Sequence, residues 1–291
     1  MLSLVLPKGS LEKATFELFN AADLTIRRAS DRDYRASIDD PRIAKVRVLR
    51  PQEIPTYLEQ GLFDLGITGR DWISETDSDV VSLGELKYSK ATSNPVRVIM
   101  AVPQDAPWQK VSDLPDGVRI STEFPALTDR FLAQHGVKAK VVPSYGATEA
   151  KVPDIVDAIV DLTETGSSLR KNGLRILDTL LVSYTELVAN REAYEDPAKR
   201  AAMEDIALLL QGVIRARGNV LIKLNVPQAQ LQDVLNVVPS MASPTVTPLA
   251  GGEMFAIESV VAKSGINELI PNVKAAGGRD VLEIPISKII D

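Results

Sequence analysis

An alternation of strand-like and helix-like segments runs through the first third of the chain and limits the folds open to it. Residues 2–6 form an apolar run that ends at Pro7, Lys8 and Gly9, and apolar side chains then recur at helical spacing from Leu11. The alternation continues in strand-like runs at residues 46–49, 64–68 and 80–86. It predicts an α/β fold with a mainly parallel sheet up to about residue 95.

A second unit begins near residue 96, where further strand-like runs predict another sheet. These runs are residues 96–102, 118–121, 140–142 and 158–162. A long helix with one apolar face is predicted over residues 197–216. After Gly218 the predicted order is strand, helix, two strands, helix, strand. This βαββαβ order is ferredoxin-like and suits a small amino-acid-binding module.

Composition excludes several classes of function. The 291 residues include no cysteine and one histidine, His135, which excludes disulfides, thiolate zinc sites and cysteine nucleophiles and disfavours a serine–histidine triad or a histidine-ligated metal cluster. The net charge of -6 disfavours nucleic-acid binding, which needs many contacts from Lys and Arg to phosphate. No apolar run approaches the roughly 20 residues of a membrane span. With no recognisable signal peptide, we expect a cytoplasmic protein without a membrane partner.

Residues 157–169, with the sequence DAIVDLTETGSSL, form the most informative motif. An apolar run, 158–162, passes into a turn that surrounds Gly166 with the hydroxyl groups of Thr163, Thr165, Ser167 and Ser168. A strand that ends in such a turn before a helix predicts backbone amides and hydroxyls that converge on a phosphate. The alternative is an ordinary strand–helix loop in which Thr163 or Thr165 caps the helix.

Charged residues near strand ends add to this motif. Asp161 and Glu164 accompany the hydroxyl-rich turn and suggest a ligand with both phosphate and hydroxyl groups, such as a phosphorylated sugar. Lys8 lies where the first strand meets the first helix, and Arg50 directly follows a strand, at the ends where α/β proteins bind ligands. Either basic side chain can also be an ordinary solvated surface charge.

Two more segments lie at strand ends. Residues 64–69, DLGITG, contain two glycines, which predicts close approach of the backbone to a ligand or tight packing of a strand on a helix. Residues 122–125, TEFP, follow a strand of the second unit. His135 precedes Gly136 at a predicted helix end, where a histidine is a favourable capping residue and has no chemical role.

Five segments, taken together and in this order, resemble the ATP phosphoribosyltransferase family. They are LPKGSL at 6–11, DLGITG at 64–69, TEFP at 122–125, DLTETGSSL at 161–169 and SPTVTPLA at 243–250. The resemblance spans essentially the whole chain, and the C-terminal unit is similar to the regulatory domain of the family's long form. The chain departs from the family pattern at residues 154–156, which read DIV in place of a Gly-x-Ala segment, and at residues 88–94, YSKATSN.

The resemblance implies both a fold and a division into domains. The fold is a two-lobed α/β body like a periplasmic binding protein, followed by a ferredoxin-like, ACT-like regulatory domain. The implied domains are lobe I at 1–95 and 174–212, lobe II at 96–173 and the regulatory domain at 213–291.

The resemblance also implies an activity. Members of the family condense ATP with 5-phosphoribosyl-1-pyrophosphate to N1-(5-phosphoribosyl)-ATP and pyrophosphate, the first step of histidine biosynthesis, with Mg²⁺ as cofactor. L-Histidine is implied as a feedback inhibitor and a homo-oligomer, from dimer to hexamer, as the assembly. One rival is a prephenate-dehydratase-like enzyme, which would show Thr-Arg-Phe where this chain has Thr122-Glu123-Phe124. The other is a two-lobed solute-binding protein, which would carry an export signal.

The implied site residues follow from the matched motifs, and no metal ligand is among them. The catalytic residues are Lys8, Arg50 and Asp161. 5-Phosphoribosyl-1-pyrophosphate is expected on Asp161, Thr163, Glu164, Thr165, Gly166, Ser167, Ser168 and Leu169. ATP or pyrophosphate is expected on Lys8, Gly9, Asp64, Gly66, Thr68, Gly69, Thr122 and Glu123. The inhibitor histidine is expected on Asn225, Met241, Ala242, Ser243 and Thr245.

Overall fold

The computed structural model describes residues 1–88, 96–241 and 243–290. The chain divides into two compact units. The first contains Met1–Phe19 and Leu24–Ala207, and the second contains Asn20–Asp23 and the chain from Leu208 onwards. The departure from the family pattern at residues 88–94 lies, except for Tyr88, outside the described residues.

The strands and helices of the described residues have the following bounds. The strands are β1 (Leu2–Pro7), β2 (Ile26–Arg27), β3 (Arg35–Ile38), β4 (Ile43–Leu49), β5 (Leu65–Gly69), β6 (Val80–Glu85), β7 (Val96–Pro103), β8 (Val118–Thr122), β9 (Ala139–Pro143), β10 (Ala158–Thr163), β11 (Leu174–Ser183), β12 (Thr185–Asn190), β13 (Asn219–Pro227), β14 (Thr245–Pro248), β15 (Met254–Ala262) and β16 (Arg279–Pro285). The helices are α1 (Glu12–Ala21), α2 (Ile54–Glu59), α3 (Arg70–Thr76), α4 (Pro125–Gln134), α5 (Ser167–Lys171), α6 (Arg191–Glu195), α7 (Pro197–Ala216), α8 (Leu231–Val237) and α9 (Ile266–Ala275).

The first sheet has seven strands in the order β2-β3-β4-β1-β5-β12-β6. Its central strand β1 is parallel to both neighbours, β4 and β5, whereas β3 and β12 run antiparallel to theirs. The predicted parallel arrangement holds for β1, β4, β5 and β6, which run in one direction. The exceptions are β3, which pairs antiparallel with its neighbours along the chain, and β12, which enters only after the chain has passed through the second sheet and arrives from the opposite direction.

The second sheet has five strands in the order β11-β7-β10-β8-β9. Both faces of this sheet are covered. The side chains of β7 alternate between the two faces and pack in a different hydrophobic cluster on each. Val98 and Met100 pack with Phe124 of the α4 side, and Ile99 packs with Leu169 of α5. Two α/β lobes joined by strand crossovers are thus the observed architecture of the first unit, as predicted, and the return from β11 to β12 passes through the single residue Tyr184.

The two lobes of the first unit contact each other through α3 and α4. The carboxylate of Glu75 on α3 accepts hydrogen bonds from the backbone N–H groups of Ala126 and Leu127 in the first turn of α4, at 3.0 and 2.8 Å. The rings of Trp72 and Phe124 lie beside this contact, with centroids 4.7 Å apart. A charged acceptor on otherwise unsatisfied N–H groups of a helix start is a favourable cap.

The second unit carries a four-stranded antiparallel sheet in the order β14-β15-β13-β16. With α8 and α9 this is the predicted βαββαβ fold. Its core alternates along β13, where Val220, Ile222 and Leu224 pack against Val234 of α8 and Val273 of α9. No helix within the described residues is long and apolar enough to cross a membrane.

Candidate active site

The turn of residues 163–168 lies between the end of β10 and the start of α5, as the sequence predicts. Gly166 adopts φ +70°, a left-handed conformation that favours glycine, and its N–H donates to Thr163 Oγ1 at 2.9 Å. A Cβ at this position would stand 3.1 Å from Nη1 of Arg170. Leu169, predicted as a ligand contact, is instead buried among Ile159 and its neighbours, and it anchors the turn to the core.

The hydroxyl groups of the turn are arranged around Gly166. The N-cap residue of α5 is Gly166, but Thr163 Oγ1 accepts from the N–H of Gly166 at 2.9 Å and Thr165 Oγ1 from the N–H of Ser167 at 3.4 Å, so both threonines also bond to the start of the helix. Thr165 Oγ1 donates to Ser167 Oγ at 3.2 Å, and the guanidinium of Arg170 donates to the carbonyl of Thr165. Ser168 Oγ donates to Glu149 Oε1 at 2.6 Å. Thr165, Ser167 and Ser168 are exposed, and a phosphate can therefore reach them.

Asp161 lies on β10 just before this turn, in an acidic and partly buried environment. Burial is the largest of the effects that raise the pKa of its carboxyl from 3.8 to about 6. The backbone N–H of Leu162 donates to it at 2.7 Å and opposes this rise. The carboxylates of Glu149 and Glu123 raise the pKa further, whereas the ammonium of Lys151 lowers it. Asp161 is thus an acid that titrates just below neutral pH.

Strand register explains why these groups meet. Val160 of β10 pairs with Thr122 of β8, so Asp161 and Glu123 stand at the same level at the carboxyl edge of the second sheet. Thr122 is buried, and its hydroxyl accepts from the N–H of Phe124 at 2.9 Å, which fixes the loop that carries Glu123. Of this predicted pair, Glu123 can act on a ligand, and Thr122 shapes the loop.

Sequence reasoning missed Lys151. It ends a short 3₁₀ helix, Thr148–Lys151, and its ammonium donates to Ser144 Oγ at 2.5 Å and to Ser121 Oγ at 3.3 Å. The sequence holds no motif that singles it out, because its two partners lie 7 and 30 residues away. The other predicted acid of the turn, Glu164, is half-buried.

The carboxyl edge of the first sheet carries basic residues. Lys8 follows β1 and Arg50 follows β4, and the pairing of Pro7 with Leu49 places them side by side. Lys8 Nζ donates to the carbonyl of Asp31 at 3.2 Å. Arg50 is exposed, and its Nη1 stands 3.5 Å from where a Cβ on Gly9 would lie. Gly9 has φ +98°, which glycine adopts without strain.

Asp64 lies at the opposite edge of the first sheet from Lys8. It precedes β5, and its carboxylate accepts from Ser3 N and Oγ, both at 2.7 Å, and pairs with the ammonium of Lys199 at 2.7 Å. Burial opposes its ionisation, but the bonds from Lys199 and Ser3 hold the pKa of Asp64 below its usual value. Because ligands bind at the carboxyl ends of parallel strands, this placement argues for a structural role.

The rest of the β5 motif is built into the packing. A Cβ on Gly66 would stand 3.1 Å from Cγ2 of Ile54 and 3.2 Å from Cδ1 of Leu58, both on α2, so this glycine allows α2 to lie close to the sheet. Thr68 is fully buried and donates to the carbonyl of Pro51 at 2.9 Å. Gly69 does reach the edge that carries Lys8, where it starts α3. Of the four residues predicted here, only Gly69 is placed to border a ligand.

The described residues do not build a metal site of their own. Among them, no three side chains of Asp, Glu, His or Cys are grouped so that they could hold a metal ion. Glu149 is engaged by Ser168, and Asp161 by the N–H of Leu162. A magnesium ion bound with few protein ligands is instead held by substrate phosphates.

The predicted histidine site falls on the sheet of the second unit. Asn225 on β13 donates from Nδ2 to the carboxylate of Asp280 at 2.9 Å. Met241 and Ser243 are exposed, and Thr245 begins β14, opposite Glu258. Ala242 lies outside the described residues.

His135 follows α4 and its Nδ1 lies 2.9 Å from the carbonyl of Phe131, in the capping position expected for it.

Comparisons with known proteins find relatives over nearly the whole chain. A family model described as ATP phosphoribosyltransferase (HisG) matches residues 50–212, and a model of the HisG C-terminal domain matches residues 216–288. The chain is 46% identical over 291 residues to the ATP phosphoribosyltransferase of Pelotomaculum thermopropionicum, with 99% of each chain covered. It is 47% identical over 291 residues to that of Chlorobium chlorochromatii, with 100% of this chain and 98% of the relative covered.

A solved structure is similar to most of the chain. It is the ATP phosphoribosyl transferase (HisG:HisZ) complex from Thermotoga maritima, with a TM-score of 0.62 and 30% identity, and the match covers 74% of this chain and 99% of that chain. Family models over both parts of the chain, near-complete coverage of relatives and the shared fold lead to one conclusion. The chain belongs to the ATP phosphoribosyltransferase family.

Proposed function

We propose that the turn of residues 163–168 binds the 5-phosphate of 5-phosphoribosyl-1-pyrophosphate and that Asp161 lies against its ribose. The reaction itself follows from the family: adenine N1 of ATP attacks C1 of the sugar, the C1–O bond to pyrophosphate breaks, and pyrophosphate leaves with the bonding electrons. The observation that carries the proposal is the juxtaposition of Asp161 with an exposed ring of hydroxyls around Gly166.

Asp161 is suited to stabilise the sugar during this displacement. Substitution at an anomeric carbon passes through a state in which positive charge develops on the ring. A carboxylate in a partly buried position stabilises that charge more strongly than one in water, because the surrounding dielectric is low. With its pKa raised to about 6, mainly by burial, Asp161 is still ionised at neutral pH.

Lys8 and Arg50 are proposed to bind the phosphates of ATP or the departing pyrophosphate. Their positions at the ends of neighbouring strands bring two positive charges to one edge, with the glycine backbone of Gly9 between them. Gly69 borders the same edge. Guanidinium and ammonium groups both donate to phosphate oxygens, and the guanidinium can do so with two bonds.

Magnesium is proposed to arrive with the substrate. The family is generally metal-dependent, and Mg²⁺ in complex with pyrophosphate oxygens screens the charge of the leaving group. The described residues supply no cage for the ion, so no step is assigned to a protein-bound metal.

Regulation is proposed for the second unit. L-Histidine would bind around Asn225 and residues 241–245, and inhibit by favouring one assembly or lobe arrangement over another. A homo-oligomer between dimer and hexamer and a location in the cytoplasm complete the proposal. Family membership excludes the two rivals, a prephenate-dehydratase-like enzyme and a solute-binding protein.

One assay tests this function. The purified chain is incubated with ATP, 5-phosphoribosyl-1-pyrophosphate and Mg²⁺, and the ultraviolet absorbance change of N1-(5-phosphoribosyl)-ATP formation is followed with and without L-histidine. Product that forms only with both substrates and is suppressed by histidine supports the proposal. Product formation that histidine does not alter would remove the regulatory part, and Asn225→Ala should weaken inhibition without changing the uninhibited rate.

A further inference from the structure

Lys151 is held in one position by hydroxyl groups that water does not reach. Its ammonium donates to Ser144 Oγ at 2.5 Å and to Ser121 Oγ at 3.3 Å, and Ser144 Oγ lies 2.8 Å from Thr148 Oγ1. Ser121, Ser144 and Thr148 are all at most 5% exposed. Ser121 belongs to β8 and Ser144 directly follows β9, so the lysine ties a loop to the carboxyl ends of two neighbouring strands.

The same loop presents a carboxylate to the phosphate-binding turn. Backbone bonds hold the loop at both ends, from Ser144 N to the carbonyl of Thr122 at 2.7 Å and from Ile155 N to the carbonyl of Lys151 at 2.9 Å. Between these points Glu149 Oε1 accepts the hydrogen bond of Ser168 at 2.6 Å. The position of Lys151 therefore sets where Glu149 meets the turn.

Lys151 is also the positive charge among three carboxylates. Asp161, Glu149 and Glu123 interact at the carboxyl edge of the second sheet, and Lys151 acts on Asp161 with the opposite sign. Burial is the main reason why the pKa of Asp161 is raised, Glu149 and Glu123 add to it, and Lys151 reduces it. Replacing the ammonium with a neutral group would leave three like charges at one edge.

We infer that Lys151 is a positioning residue of the transferase site, which ties its loop to the ends of β8 and β9 and so fixes Glu149 against Ser168 of the phosphate-binding turn. Two of its three N–H groups are committed to Ser121 and Ser144, so its contacts lie within the loop and the two strand ends. The inference rests on the proposed role of the turn of residues 163–168.

The test compares three lysine variants in the full-length chain. Lys151→Met keeps the apolar stem and removes the charge, Lys151→Arg keeps the charge, and Lys140→Met is the matched control on exposed Lys140 of β9. We expect Lys151→Met to raise KM for 5-phosphoribosyl-1-pyrophosphate about tenfold, the equivalent of one lost charge-assisted hydrogen bond, with KM for ATP unchanged. The Lys151→Arg variant should recover most of this loss.

The pH profile separates positioning from a purely structural role. In Lys151→Met the acidic limb of kcat/KM should move to higher pH, because Asp161 loses a positive charge that lowers its pKa, whereas Lys151→Arg should leave the limb in place. Kinetics and an acidic limb equal to those of Lys140→Met would overturn the inference. If Lys151→Met does not fold, Ser144→Ala, which removes one of the two acceptors of the lysine, must raise the same KM, and an unchanged value would overturn the inference.

Gly166→Val is measured alongside, because it tests the phosphate-binding turn separately from the positioning role of Lys151. A rise in KM for 5-phosphoribosyl-1-pyrophosphate in Gly166→Val with no change in Lys151→Met contradicts the positioning role alone. No change in either variant contradicts the proposed phosphate-binding turn as well.

Discussion

The two sheets of the first unit end in edges of opposite charge. At the seven-stranded sheet, Lys8 and Arg50 follow parallel strands, and Arg50 is exposed. At the five-stranded sheet, Asp161 is gathered with Glu123 and Glu149 in a partly buried environment. A basic edge suits a polyphosphate, and an acidic edge suits a sugar that becomes positively charged. The proposal assigns one of these two kinds of group to each lobe.

Because the two edges differ in burial, substitutions at them should differ in the size of their effects. Interactions of exposed charges are weakened by water and salt, whereas a partly buried charge acts through a lower dielectric. Substitutions at the acidic edge should therefore change the rate more than substitutions at the basic edge change binding.

The largest effect is expected from Asp161→Asn. Loss of the carboxylate beside the ribose should lower kcat by about 10²–10³-fold, as for other single groups that stabilise charge in a transition state. Steady-state kinetics with both substrates saturating measures it, with exposed Asp116→Asn as the matched control. A kcat within threefold of the control would mean that the acidic edge has no role in the chemistry.

A smaller effect is expected from Arg50→Ala at the basic edge. Loss of one guanidinium–phosphate contact should raise about tenfold the KM of the substrate whose phosphates Arg50 binds, which is ATP or, through its pyrophosphate, 5-phosphoribosyl-1-pyrophosphate. Arg200→Ala, which removes an exposed arginine on α7, is the control. If neither KM value rises, the assignment of phosphate binding to this edge fails.

Glu75→Gln tests the contact that joins the two lobes. The amide is uncharged and retains one acceptor oxygen, so one of the N–H groups of Ala126 and Leu127 loses its acceptor and the other keeps only a neutral one. We expect the free energy of unfolding to fall by about 1 kcal/mol, the usual cost of a lost helix cap. Chemical denaturation measures it against Glu17→Gln on exposed α1. Unchanged stability would show that this contact does not couple the lobes.

The smallest effect is expected on the thermal stability of the Asp161→Asn variant. Its folded-state pKa of about 6 lies above that of an unfolded aspartate, so the folded state binds the proton more tightly, mainly because of burial. Ionisation of Asp161 therefore lowers the free energy of unfolding. This loss is absent below about pH 4, grows up to about pH 6 and is complete above it. Asp161→Asn should therefore raise Tm at pH 8 by a few degrees and leave Tm nearly unchanged at pH 4. Equal Tm shifts at both pH values would contradict the raised pKa.

Much of the fold can be predicted from the sequence because apolar periodicity marks strands and helices wherever one face is buried. The 20-residue helix α7 and the βαββαβ unit follow the pattern closely. Strands β2 and β3 were not predicted, since they are two and four residues long and carry charged side chains. The antiparallel direction of β12 was also missed, because it depends on the path of the chain through the second sheet.

The candidate site also contains one part that the sequence predicts and another that it does not. The hydroxyl-rich turn is a local motif, so its position between β10 and α5 can be predicted. The role of Asp64 was misjudged because the pattern of a strand does not show which end faces a ligand, and its partners Ser3 and Lys199 lie far away in sequence. Lys151 was missed for the same reason: its hydroxyl partners are brought to it only by the sheet.

The central claim is that the turn of residues 163–168 binds 5-phosphoribosyl-1-pyrophosphate, and the binding of both substrates to Gly166→Val tests it most directly. A valine at φ +70° strains the turn and places its Cβ 3.1 Å from Arg170. Calorimetric titration should show an affinity for 5-phosphoribosyl-1-pyrophosphate at least about tenfold weaker than in the unsubstituted protein, with the affinity for ATP preserved. Unchanged affinity for 5-phosphoribosyl-1-pyrophosphate, or an equal loss for both ligands, would contradict the account.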